Sequence, residues 1–100
     1  MNPEEIKVIP DEHQAYVNDS PLNLTPKEYN LLIYFISNKN RVITRDSLVD
    51  HFWEDSFEQS ASYDLIYAHI KNLRHKIFEK SGKDYIKAVY GIGYKLSGQS

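Results

Sequence analysis

The sequence predicts an α+β domain with an N-terminal antiparallel sheet, three helices and a C-terminal β-hairpin. Three observations predict it. Short alternating apolar runs before residue 25 are split by turn residues. Three stretches with helical spacing follow, between residues 26 and 80. Residues 85–96 then read as two short extended runs around Gly91-Ile92-Gly93.

The first segment is strand-like. Ile6-Lys7-Val8-Ile9 alternates weakly and stops at Pro10. Gln14-Ala15-Tyr16-Val17 is followed by the turn signal Asn18-Asp19-Ser20-Pro21, and Leu22-Asn23-Leu24 alternates again. Three short strands with tight turns suggest a small antiparallel sheet.

Thr25-Pro26-Lys27-Glu28 marks a helix start. Thr25 caps, Pro26 suits the first helical position and Glu28 completes a capping box. Leu31, Leu32, Phe35 and Ile36 recur at helical spacing, and Asn38-Lys39-Asn40 ends the helix. Val42-Ile43 reads as a short extended link. Thr44 caps a second helix with the stripe Leu48, Val49, Phe52, and Trp53 falls at or just past its end. The polar, acidic stretch from Glu54 to Ser60 reads as a loop.

The third helix is expected from around residues 60–62 to about Lys80. Ile66, Ile70, Leu73 and Ile77 fall on one face. At about 100° per residue, Asp64, Ala68, Lys71 and His75 collect opposite, with Asn72 beside them. Tyr67 and Arg74 flank the apolar stripe on one side, and His69 and Lys76 on the other. Ser81-Gly82-Lys83-Asp84 stops the helix, and the two wing glycines suit a tight hairpin tip.

Composition narrows the function classes. One hundred residues form a single domain, spanning 1–100 with its core at 6–96. The absence of cysteine excludes a disulfide framework and a cysteine–zinc site. His13, His51, His69 and His75 are scattered, so no metal site is expected, and no cofactor loop is present: Gly91-Ile92-Gly93 lacks the third glycine of a dinucleotide motif. No nucleophile–base set is visible, which argues against an enzyme. No membrane span or signal peptide is read, and a cytoplasmic location is the natural expectation. Charge is asymmetric. Residues 61–100 hold seven Lys/Arg against three Asp/Glu, and residues 1–60 hold five against eleven, for a net −2. A basic C-terminal part suggests a nucleic-acid face.

The ordered elements resemble the effector domain of OmpR/PhoB-type response regulators, a winged helix-turn-helix family. Four segments carry the resemblance: residues 24–32 (LTPKEYNLL), residues 41–48 (RVITRDSL) with Trp53 following, residues 69–77 (HIKNLRHKI) and residues 85–96 (YIKAVYGIGYKL). Together they cover nearly all of residues 6–96. The resemblance implies sequence-specific binding to double-stranded promoter DNA, coupled to RNA polymerase. It places the third helix in the major groove and the wing along the adjacent minor groove, and it leaves room for a dimer on tandem or symmetric sites. It assigns polymerase contact to the loop after the second helix, with Glu54, Asp55, Phe57 and Glu58. A receiver domain normally precedes such a domain, so the chain reads as the output half of a two-component phosphorelay.

The expected DNA-binding residues are His69, Lys71, Asn72, Arg74 and His75 on the third helix, and Lys87, Tyr94 and Lys95 in the wing. Asn reads adenine bidentately, Lys reaches guanine or phosphate, and a neutral His donates or accepts. Arg74, nearer the side, suits phosphate. Tyr94 is expected either to meet DNA or to pack under the third helix. Tyr63, Tyr67, Tyr85 and Tyr90 are expected to pack between helix and wing. Against the family pattern, Asp64 stands where a basic residue is common, Tyr67 where an acid is usual, Asn72 where a basic residue is frequent and Tyr90 where the wing commonly has arginine. Asp64, Tyr90 and the overall acidity raise the alternative of a winged helix used for protein contact.

Overall fold

The computed structural model describes residues 6–56 and 63–97, with side chains from 52 to 64 outside the described set. Strands β1 (Ile6–Ile9), β2 (Gln14–Val17) and β3 (Ser20–Leu22) form an antiparallel sheet in that order. A 3₁₀ turn at Pro10–Glu12, closed by His13 at φ 50, links β1 to β2. The sequence marks only the end of the strand at Pro10. Asn18 and Asp19 take φ 52 and 64 between paired Val17 and Ser20. Two consecutive left-handed residues make a type I′ turn, whose twist matches the flanking strands.

Helix α1 (Pro26–Ser37) starts as its sequence specifies. Thr25 Oγ1 accepts from Glu28 N at 3.2 Å, and Thr25 N donates to Glu28 Oε1 at 3.1 Å. Strand β4 (Val42–Thr44) leads into α2 (Arg45–Ser56), where Thr44 Oγ1 accepts from Ser47 N at 3.2 Å. Helix α2 continues through Glu54 and Asp55, where a loop is expected from the sequence. Polar composition alone does not exclude a helix, and no Gly or Pro stops the chain before Ser56. Helix α3 (Tyr63–Ser81) ends at Gly82, whose φ of 73 lets its N–H reach Phe78 O at 2.7 Å.

The wing is larger than a hairpin. Strands β5 (Ile86–Val89) and β6 (Gly93–Leu96) pair, and β4 pairs with β6, giving a three-stranded sheet in the order β4-β6-β5. The residues read as an extended link are therefore a sheet edge. Asn40 N donates to Leu96 O at 2.9 Å and seats that edge.

The core gathers on α3. Ile66, Ile70, Leu73 and Ile77 are at most 1% exposed and meet Leu31, Leu32, Phe35, Leu48, Val17 and Leu22. Each such side chain contributes roughly 1.5–3 kcal/mol by leaving water. The helix packs on α1, α2, β2 and β3, and β6 meets α1. One rod is thus held from several sides, with one face left to solvent. Among the described residues no helix is long and apolar enough to cross a membrane.

Candidate nucleic-acid interface

The free face of α3 follows from its buried one. With the Ile66/Ile70/Leu73/Ile77 stripe inward, Lys71, Asn72 and His75 are exposed and His69 is half-buried. His75 Nε2 lies 3.1 Å from Glu79 Oε2 one turn on, with both side chains well exposed, so water and a ligand compete easily for either group.

Both flanks of that face are braced. On one side Lys76 Nζ donates to Glu28 Oε1 at 2.6 Å and to Asn23 O at 2.7 Å. On the other, Arg74 Nη2 donates to Asp84 Oδ2 at 2.9 Å. Nearer the start of the helix, the Tyr67 ring meets Tyr94 edge-on at 5.9 Å. Lys71, Arg74, His75, Phe78 and Asp84 line a hollow of ≈ 280 Å³ between α3 and the loop that follows it.

The wing residues divide between two faces. Ile43, Tyr94 and Ala88 are register partners across the sheet, and Tyr94 is 7% exposed. Of the two expectations for Tyr94, packing is the one the structure shows: a ring this covered presents no face to DNA, so Tyr94 leaves the set of direct DNA contacts. Strand alternation sends Lys95 the other way. It stands opposite Val42 on one side and Lys87 on the other. Two ammonium groups directly opposite repel, at a cost of about 0.2–1 kcal/mol. Neither has an ionic partner among the described residues, and an anion beside them removes that cost.

Among the described residues the tyrosines divide: Tyr67 packs between helix and wing, against Tyr94, as expected, and Tyr90 does not. Tyr85 is 6% exposed in the core, Tyr67 is half-exposed against Tyr94, and Tyr90 is fully exposed at the wing tip beside Ile92 at 50%. The side chains of Tyr63, Asp64, Glu54 and Asp55, and all of Phe57 and Glu58, lie outside the described residues. The tip is the turn Val89–Ile92. Ile92 N donates to Val89 O at 2.9 Å, and Gly91 supplies the φ of 78 that a type II turn needs at its third residue. Gly93 serves a different purpose from the one read in the sequence. It opens β6, where a Cβ would overlap the carbonyl oxygen of Ile43.

Sequence reasoning missed Asp84 and the Glu28–Lys76 pair. The capping pattern revealed Glu28 as a local residue. Nothing in its spacing disclosed a partner on α3.

Two helices joined in sequence, the second exposing a polar face, with a strand ribbon beside them, define a winged helix-turn-helix domain. Residues 19–96 match the family described as "Transcriptional regulatory protein, C terminal". The chain belongs to that family, the output domains of OmpR/PhoB-type response regulators. It is 42% identical over 93 residues to the alkaline phosphatase synthesis transcriptional regulatory protein PhoP of Bacillus subtilis (strain 168), covering 92% of this chain and 38% of that protein. It is 36% identical over 85 residues to the regulatory protein VanR of Enterococcus faecium, covering 84% and 36%. The chain thus spans less than two-fifths of the length of these curated relatives. Among solved structures, the DNA-binding domain of the response regulator AdeR in complex with an intercistronic region superposes with a TM-score of 0.79 at 29% identity, covering 95% of this chain and 96% of that one. The response regulator DrrB, a Thermotoga maritima OmpR/PhoB homolog, gives 0.79 at 26% identity, covering 98% and 44%.

Proposed function

We propose that this chain binds double-stranded promoter DNA sequence-specifically as the output half of a two-component response regulator. Helix α3 enters the major groove and the β4-β6-β5 wing lies along the neighbouring minor groove and backbone. One observation carries the reading: a helix braced on both flanks that leaves Lys71, Asn72 and His75 facing outward. Asn72 reads a base edge, with His69 and His75 beside it. Lys71, Arg74, Lys87 and Lys95 neutralise phosphates. This is regulation by binding, and no enzymatic step is assigned to it.

Within that reading, the segment from Glu54 to Glu58 contacts RNA polymerase, and two copies bind tandem or symmetric sites. The family's known arrangement supports these assignments.

Anisotropy titration of the chain against a labelled duplex at several salt concentrations tests the core of the proposal. Four phosphate contacts give a log–log slope of about −3 to −4. Selection from a random-site pool should return one enriched motif. Failure to bind at low salt would reject the DNA reading and favour a protein-contact module.

A further inference from the structure

We infer that Asp84 is a positioning residue for DNA-backbone binding, holding the Arg74 guanidinium at the edge of α3 where a phosphate meets it. The inference rests on the reading of α3 as the DNA-facing helix. Arg74 Nη2 donates to Asp84 Oδ2 at 2.9 Å, with the two side chains 33% and 46% exposed. That bond uses one of the five N–H groups of the guanidinium. The others remain for a second anion, and the neighbouring Lys71 and His75 add donors around the same hollow. Asp84 is the one acid in its lining.

The carboxylate stands on a fixed loop. Gly82 closes α3 through its bond to Phe78 O. Ser81 Oγ donates to Ile77 O at 2.8 Å and accepts from Lys83 N at 3.0 Å. Tyr85, the next residue in the chain, is buried in the core. An acid with so little backbone freedom orders a long side chain before DNA arrives. An arginine that must be immobilised on binding loses about two- to tenfold in affinity relative to one already held.

Charge alone gives the opposite sign, because removing an acid beside DNA tightens binding. The sign therefore decides. The experiment measures anisotropy of a labelled random-sequence duplex at low salt with the parent chain, Asp84→Ala, Asp84→Asn, Arg74→Ala and the Asp84→Ala/Arg74→Ala double variant, each checked for fold by circular dichroism. Asp84→Ala should bind about two- to tenfold more weakly. Asp84→Asn keeps an acceptor oxygen and should fall between parent and Asp84→Ala. The double variant should bind no more weakly than Arg74→Ala, whose salt slope should be shallower by about 1. Tighter or unchanged binding by Asp84→Ala, or an equal further loss in the Arg74→Ala background, would overturn the inference. So would Asp84→Asn binding more weakly than Asp84→Ala. If Arg74→Ala binds like the parent, the phosphate role of Arg74 fails and the role of Asp84 fails with it. A loss in Arg74→Ala with none in Asp84→Ala sinks the positioning role alone.

Discussion

Lys76 Nζ lies 2.6 Å from Glu28 Oε1, joining α3 to the first turn of α1 across 48 residues of sequence. Glu28 is 2% exposed, and the same oxygen accepts the backbone N–H of Thr25 that completes the capping box. Lys76 also donates to Asn23 O. One carboxylate thus closes a helix end and ties the neighbouring helix to it, in the roll that the buried Ile66/Ile70/Leu73/Ile77 stripe sets.

Breaking this pair from the lysine side leaves a covered carboxylate without its cation. Lys76→Ala should destabilise the chain by about 2–3 kcal/mol, below the fully buried range because the ammonium keeps some solvent. The corresponding fall in Tm is roughly 10–20 °C for a domain this size. Glu28→Gln should cost less, since an amide oxygen still accepts. Urea denaturation of both variants checks the order. A Lys76→Ala chain as stable as the parent would show the pair to be a surface decoration.

On the proposed reading, base reading and phosphate binding should separate on the outer face of α3. Asn72→Ala should cost about 1–3 kcal/mol on the best site and relax the selected motif. Lys71→Ala should weaken all duplexes alike and flatten the salt slope by about 1. Random-site selection beside salt titration distinguishes them, and an unchanged motif with Asn72→Ala would remove its base-reading role.

The two wing glycines should respond differently. Alanine at Gly91 meets no neighbour but must hold φ 78, a strain of about 1–2 kcal/mol. Alanine at Gly93 collides with the Ile43 backbone and should part β4 from β6, at about 3 kcal/mol or more. Amide exchange should then rise at Asn40, whose N–H is held by Leu96 O. Any test of the wing tip should leave Gly93 in place and alter residues 90–92. Equal losses at both glycines would contradict this division.

Lys87 and Lys95 oppose each other across β5 and β6, so their effects on stability and binding should have opposite signs. Lys87→Ala relieves the repulsion and should raise stability by about 0.2–1 kcal/mol. It should also weaken DNA binding and flatten the salt slope by about 1. A variant both less stable and equally tight would assign Lys87 a packing role instead.

The sequence made some of this legible and not the rest, for physical reasons. The capping box, the α3 stripe and the outward Lys71 and His75 follow from local periodicity, which the packing respects. The type II tip at Gly91 was visible as a glycine in a turn. Strand β4 was visible as a short extended run, but its place in the wing sheet was not: three residues carry too little alternation to reveal a partner fifty residues away. Gly93 looked like a second tip glycine because close approach of another strand leaves no mark in local sequence. Tyr94 remained two-sided until β6 acquired neighbours on both edges. The Arg74–Asp84 and Lys76–Glu28 pairs depend on tertiary placement, which residue spacing does not encode.

Tyr90 and Asp64 are two of the positions where this chain lacks a basic charge that the family pattern commonly carries, and placing arginine at each should separate binding from stability. Tyr90 is fully exposed at the wing tip and supports nothing in the fold. Tyr90→Arg should therefore leave Tm unchanged while tightening DNA binding and steepening the salt slope by about 1. Asp64 is the second residue of α3, in the first turn, where a negative charge favours the helix dipole by about 0.3–1 kcal/mol. Asp64→Arg should lower stability by a similar amount and also tighten binding, since an acid at the leading end of a groove-bound helix repels phosphate. Measuring Tm and salt-dependent affinity on the two variants gives four signs. Tyr90→Arg without gain would place the tip away from the backbone. A folded Asp64→Arg that bound more weakly at low salt would make Asp64 an acceptor for a cytosine amino group, and so a residue that selects sequence.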